Sequence, residues 1–336
     1  PPTNADGLSY HWGIPVYLLR NQEWPPLNLW WHGSLGGIGE VFNMLGVALY
    51  AENLGMILQP LGLIAFSCFL SNQFNGNKRS FLHLYIITSP VLIYFVTSPK
   101  PQLFPEILTT IALYFTVSEK RIDEKKLLLI CFLLMGAAQQ KLSFILTGSV
   151  IGLVALWKSP INSRSAWFYI LACFLFFFLP RGIWNLQQVS NPNIVSFITP
   201  LPADRLDILK SYHENDSWFP INLFVPDSLG KLTTILGLQI FLVFFIKTRD
   251  RKIIEVFIIT GIAMFVTYLY GQSIARSFYE FVLWTAVAFS FLPKEDFRFR
   301  LYNRFLLIQG LAVFGAAAYG VTHLFPGALS EERRQE

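Results

Sequence analysis

Long apolar runs punctuated by short clusters of lysine and arginine constrain this chain more than any other feature. Several runs approach the ~20 residues that a helix needs to cross a bilayer. A water-soluble core has no need for stretches such as 171–179 and 235–246 set apart by charge clusters. The runs are continuous, which argues against the two-residue alternation of a membrane β-barrel. With 53% hydrophobic and only 14% charged residues, the chain reads as an all-α, polytopic transmembrane helical bundle. Cys68, Cys131 and Cys173 fall inside apolar runs, as packing residues do, and no disulfide framework or metal-ligand spacing is visible. The net charge of +5 is no nucleic-acid signal, because the basic residues sit in short clusters between spans.

Spans are expected at about 54–70, 81–97, 103–117, 166–179, 232–246, 253–270, 278–292 and 305–321. The stretch 127–157 is ambiguous. As one helix it would be about 46 Å long, too long for a ~30 Å hydrocarbon core unless steeply tilted. Hinged at Gln139-Gln140-Lys141 it becomes two short arms. With the hinge, and with residues 1–52 outside, sixteen of the 26 Lys and Arg fall in five short loops on one side. These loops contain Lys78, Lys120, Lys158, Lys247 and Lys294. An unbroken helix would invert every later span and destroy the positive-inside bias, so a hairpin is expected. The domains are then an outer loop with interfacial helices at 1–52, a transmembrane domain at 53–325 and a polar tail at 326–336. A long outer loop at about 180–231, rich in Asn, Pro and aromatics, exceeds ordinary loop lengths. The chain begins Pro1-Pro2, and a transmembrane helix is expected to precede it.

The stretch Asn4-Ala5-Asp6-Gly7-Leu8-Ser9-Tyr10-His11 sets a carboxylate beside an aromatic and an imidazole at the head of an apolar chain. The plain reading is that Asp6 caps a short helix. The chemical reading is that Asp6 is a general base. On the hairpin topology His11, Lys100, Lys141, Arg181 and Arg276 lie on the same side as Asp6. Lys141 is the most informative, because the short hairpin places its tip below the membrane surface, where an ionisable residue is functional by default. The alternative is a lysine snorkelling from a helix end. Lys100 and Arg181, taken singly, read as interface anchors. Glu106 and Glu280 are expected to pair with Lys100 and Arg276. Together the cations suit the phosphate of a lipid-linked sugar, under a carboxylate that accepts the proton of an attacking hydroxyl.

Asp6-Gly7-Leu8-Ser9-Tyr10-His11 followed by Pro15 resembles the first outer-loop motif of GT-C-type membrane glycosyltransferases, in particular the bacterial branch reading roughly D-x-L-x-Y-H-x-x-x-P. The similarity continues at Gly136 with Lys141 and Ser143, at Pro180 with Asn185, at Asn191-Pro192, and at Gly271-Gln272 with Arg276. The resemblance implies a GT-C-like bundle and an inverting transferase with Asp6 as its base. It implies that Tyr10, His11, Lys141, Asn185 and Arg276 bind substrate, and the topology adds Lys100 and Arg181 to that set. The implied donor is a polyprenyl-phosphate sugar, and the acceptor is a cell-surface lipid, glycan or protein. The implied location is the extracytoplasmic side of a bacterial inner membrane. No cofactor or metal ligand set is expected, although Gly7 stands where many members carry a second acidic residue, which leaves metal dependence open. Two other functions suit the composition. A transporter or flippase of a lipid-linked sugar should show broken spans in corresponding halves. A non-catalytic assembly subunit would keep the fold without the activity.

Overall fold

The computed structural model describes residues 11–23, 38–51, 53–72, 74–96, 98, 100–160, 163–187, 197–198, 219–226, 234–247, 250–270, 277–293, 298–319 and 322. Among these residues there are twelve α-helices and no strand. A first layer holds α1 (Gly13–Asn21), a 3-10 turn at Ile38–Glu40 and α2 (Val41–Ala48). The bundle follows with α3 (Leu54–Ser71), α4 (Gly76–Ile87), α5 (Pro90–Val96), α6 (Leu103–Ser118), α7 (Glu124–Gln140), α8 (Phe144–Lys158) and α9 (Ser163–Gln187). After a 3-10 segment at Leu238–Phe245 come α10 (Arg251–Tyr270), α11 (Glu280–Ser290) and α12 (Phe299–Tyr319).

Four helices, α3, α9, α10 and α12, are long and apolar enough to cross a membrane, and the bent pair α4–α5 makes a fifth. Their outward faces are apolar: Phe176 on α9, Phe265 on α10 and Leu311 on α12 are exposed. In water such faces would be a large unpartnered patch, whereas in a bilayer they face lipid. Helix α11 is the reverse case, with all eleven of its residues buried. It packs against α3, α4, α6 and α10 and is the axis of the bundle, as a helix apolar on every side must be.

Helices α7 and α8 form the expected hairpin. The Asp123 carboxylate caps α7 by accepting the Lys126 N–H at 2.8 Å. The arms pack together, and their far ends meet where the Ile122 N–H donates to the Lys158 carbonyl at 3.3 Å. The turn falls at residues 141–143, just past the expected hinge. Arms of 17 and 15 residues are roughly 26 and 22 Å long, short of a ~30 Å core.

Three expectations change. The run 81–97 is not one straight span, because α4 and α5 meet at a bend of 63°. Helix α9 does not stop at Pro180 but continues to Gln187. The missing proline donor is a loss that membrane helices tolerate when neighbouring groups compensate, so Arg181 and Asn185 stand on a helix and not in the long loop. Residues 238–245 are 3-10 helix, about 16 Å long at ~2 Å per residue, and do not cross. Gly237 starts this segment at φ 91°, a conformation open to glycine. Gln309 Nε2 anchors it by donating to Gln239 Oε1 at 2.6 Å.

The basic loops meet at one end. Lys78 Nζ donates to the carbonyls of Ser290 and Leu292 at 2.7 and 2.6 Å. Lys158 Nζ pairs with Glu255 Oε1 at 2.7 Å and donates to the Thr116 carbonyl at 2.7 Å. These lysines close the last turns of α11 and α6, where carbonyls lack helical partners and the dipole favours a cation. Asn303 reaches the Asn77 carbonyl at 3.1 Å, and Lys252 lies over the Phe291 ring.

Candidate functional site

At the opposite end, polar side chains from widely separated segments converge in two layers. In the first, His11 Nδ1 lies 2.6 Å from Glu40 Oε1, and both residues are buried. Asn43, one helical turn after Glu40, donates to Glu40 Oε2 and to the His11 carbonyl, both at 3.2 Å. Glu40 thus ties α1 to α2. Gly39 lets this acidic turn rest on its neighbours: a Cβ there would lie 2.7 Å from Pro101 Cβ and 3.2 Å from the Gln140 carbonyl oxygen. The turn therefore sits against the corner of Lys100 and Pro101 and against the hairpin tip that carries Lys141. Lys100 is buried, at 5% exposure. Arg181, near the end of α9, is in electrostatic contact with Glu40.

The second layer lies at the starts of α6 and α11. Glu280 Oε1 accepts from the Thr147 hydroxyl at 3.2 Å and lies 2.8 Å from Thr109 Oγ1. Lys141 acts on Glu280 from the hairpin tip. Glu106 is fully buried and electrostatically coupled to Glu280. Neither of its carboxyl oxygens has a hydrogen-bond partner among the described residues. The expected Lys100–Glu106 pair is therefore not made. Gln59 Oε1 accepts the N–H groups of Gln102 and Leu103, both at 3.2 Å, which satisfies the start of α6.

Asp6, Tyr10 and Arg276, with the expected Arg276–Glu280 pair, lie outside the described residues. His11, Lys100, Lys141 and Arg181 come to one end of the bundle. Asn185, further along α9, donates its amide to the carbonyls of Phe197 and Ile198 at 3.0 and 3.1 Å, clamping that segment onto the helix. Sequence reasoning did not show that Glu40 and Asn43, on one helix face, hold His11. It also missed Thr109 and Thr147, whose only signal is the spacing of Thr109 three residues after Glu106 on one face of α6. Among the described residues no group of three or more His, Cys, Asp or Glu is placed to hold a metal.

A family model described as the DUF1420 N-terminal domain matches residues 1–336. The chain belongs to that family. No curated protein and no solved structure matches it. The polar end of this DUF1420 domain combines three cations with an imidazole held by a buried carboxylate. Chemically, Lys100, Lys141 and Arg181 suit a phosphate, and a carboxylate-oriented imidazole suits proton exchange with a bound hydroxyl.

Proposed function

We propose that this domain is a membrane glycosyltransferase that moves a sugar from a polyprenyl-phosphate donor to an acceptor hydroxyl at the extracytoplasmic face, with Asp6 as general base. The observation that carries the reading is the convergence of Lys100, Lys141, Arg181 and the His11–Glu40 pair at the end opposite the basic loops. By the positive-inside rule that end faces away from the cytoplasm. The tip of the short hairpin lies within reach of a phosphate anchored in the leaflet. Cations there stabilise the departing phosphate, and a base takes the proton of the attacking hydroxyl. Five residues of chain span at most about 18 Å, so Asp6 is tethered within that reach of His11.

The test is transfer from synthetic polyprenyl-phosphate sugars by the purified protein. Asp6→Asn is expected to slow transfer by on the order of 10²–10⁴-fold with donor still bound. Asn caps a helix about as well as Asp, so a purely structural Asp6 leaves activity intact. Full activity in Asp6→Asn removes the catalytic assignment. No binding or turnover of any such donor by the wild type removes the sugar-transfer reading.

A second reading, a flippase for the same lipid-linked sugar, draws on the two breaks that meet where Ser89 Oγ donates to the Leu236 carbonyl at 3.4 Å. Broken spans mark transport sites. Movement of uncleaved donor across vesicle membranes would favour it over transfer.

A further inference from the structure

Glu106 and Glu280 are not explained by sugar transfer, and what they hold is independent of that reading. The two carboxyls stand in the first turns of α6 and α11, both buried, and act on each other electrostatically. Glu106 has no hydrogen-bond partner for either oxygen among the described residues. The start of α6 offers it none, because the amides of Gln102 and Leu103 are taken by Gln59.

The Thr109 hydroxyl supplies a second, separate observation. Its oxygen lies 2.9 Å from the Glu106 carbonyl oxygen and 2.8 Å from Glu280 Oε1. A hydroxyl has one proton to donate. The Glu106 carbonyl already accepts the Thr110 hydroxyl at 2.7 Å, so the Thr109 proton goes to Glu280, which also accepts from Thr147. Glu280 therefore holds two hydroxyl donors, and the Glu106 carboxyl holds none among the described residues. Lys141 acts on Glu280 but no cation acts on Glu106 among the described residues, and Tyr279 is the other titratable group beside both. Across α6 and α8 the Thr109 and Thr147 hydroxyls bond the Glu280 carboxyl, while the Thr110 hydroxyl bonds the Glu106 backbone carbonyl. Among the described residues no further charged group acts on either carboxyl. An uncompensated buried charge is strongly unfavourable, and a proton on Glu106 removes it.

We propose that Glu106 and Glu280 form a proton-binding site that holds one exchangeable proton between them beneath the cationic end of the bundle. The proton enters from bulk water and leaves to it, with no other bond made or broken. Lys141 couples the site to the layer above. An anion that engages Lys141 withdraws its charge from Glu280 and favours the protonated pair.

Infrared spectroscopy of the full chain, with and without carbon-13 glutamate, tests this directly. The wild type is expected to show the carbonyl stretch of a protonated, water-shielded glutamic acid, shifted by the label and slow to exchange in heavy water. Thr109→Val removes one hydroxyl donor to Glu280 with little change of shape and is expected to shift the band as the proton redistributes between the two carboxyls. Glu280→Gln or Glu106→Gln is expected to abolish it. Absence of the band in the wild type overturns the proposal, whether or not the glutamine variants fold. A band unmoved by Thr109→Val and by both glutamine variants belongs to another carboxyl and also overturns it. Loss of the band when sodium replaces choline at constant ionic strength makes the occupant a sodium ion and overturns the proton.

Discussion

Lys141 touches both layers of the polar end, by its place beside Gln140 under the acidic turn and by its action on Glu280. Lys141→Ala is expected to weaken donor binding roughly ten- to hundredfold, the range of a charge-assisted contact of ~1.5–3 kcal/mol. Binding to a spin-labelled polyprenyl phosphate measures it, and Lys141→Arg should retain most of the affinity. Unchanged affinity in Lys141→Ala would mark the residue as an interface anchor. Single residues of this kind are legible in a sequence, since a cation inside an apolar run has few bland explanations. Glu40 is the opposite case. It lies in a glycine-rich polar stretch where a carboxylate is ordinary, and its meaning depends on His11, 29 residues away. No local pattern carries that closure. Glu106 shows the same limit: its nearest cation in sequence, Lys100, suggested a partner, but the pair is not made and Glu280 is the charged group that acts on it.

At the scale of elements, the α7–α8 hairpin was legible because charge, unlike helix propensity, distinguishes the two sides of a membrane. The end of α9 and the 3-10 segment were not. Proline predicts a stop from local sterics, whereas continuation depends on neighbours that a sequence window does not contain. The apolar run 232–246 has a span's composition, and only the break at Gly237, fixed by contacts with α12, denies it the length. The basic ends of α6, α8 and α10 are joined by Lys158 and Glu255, whose side chains are 3% and 15% exposed. Lys158→Met leaves the Glu255 carboxylate with no ion-pair partner in a largely buried setting and is expected to destabilise the protein by about 3–5 kcal/mol. Adding Glu255→Leu should restore most of the loss. Equilibrium unfolding in mixed micelles checks both, and an equal loss in the single and double variants would show that the pair itself supplies little.

For the whole molecule, the two ends differ in chemistry, and the positive-inside rule turns this into a topology that labelling can check. Ser143 is exposed at the hairpin turn, and Arg121 is exposed at the basic end. In a cysteine-free background, Ser143→Cys is expected to react with an impermeant maleimide added outside intact cells. Arg121→Cys should react only after permeabilisation. The reverse pattern would place the polar end in the cytoplasm and remove the basis for extracytoplasmic transfer. Helix α11 carries a different consequence, one of timing. Its buried residues are the axis on which α3, α4, α6 and α10 pack, yet ten of the twelve described helices precede it in the chain. Synthesis runs from the N-terminus, so the earlier helices enter the bilayer before the element that fills their centre exists. During that interval Glu106, Thr109 and Thr147 have no Glu280 to meet, and the nascent chain must shelter them from lipid by other contacts. A ribosome that stalls before residue 280 leaves behind a ring of helices around a missing axis, a ready target for membrane proteases.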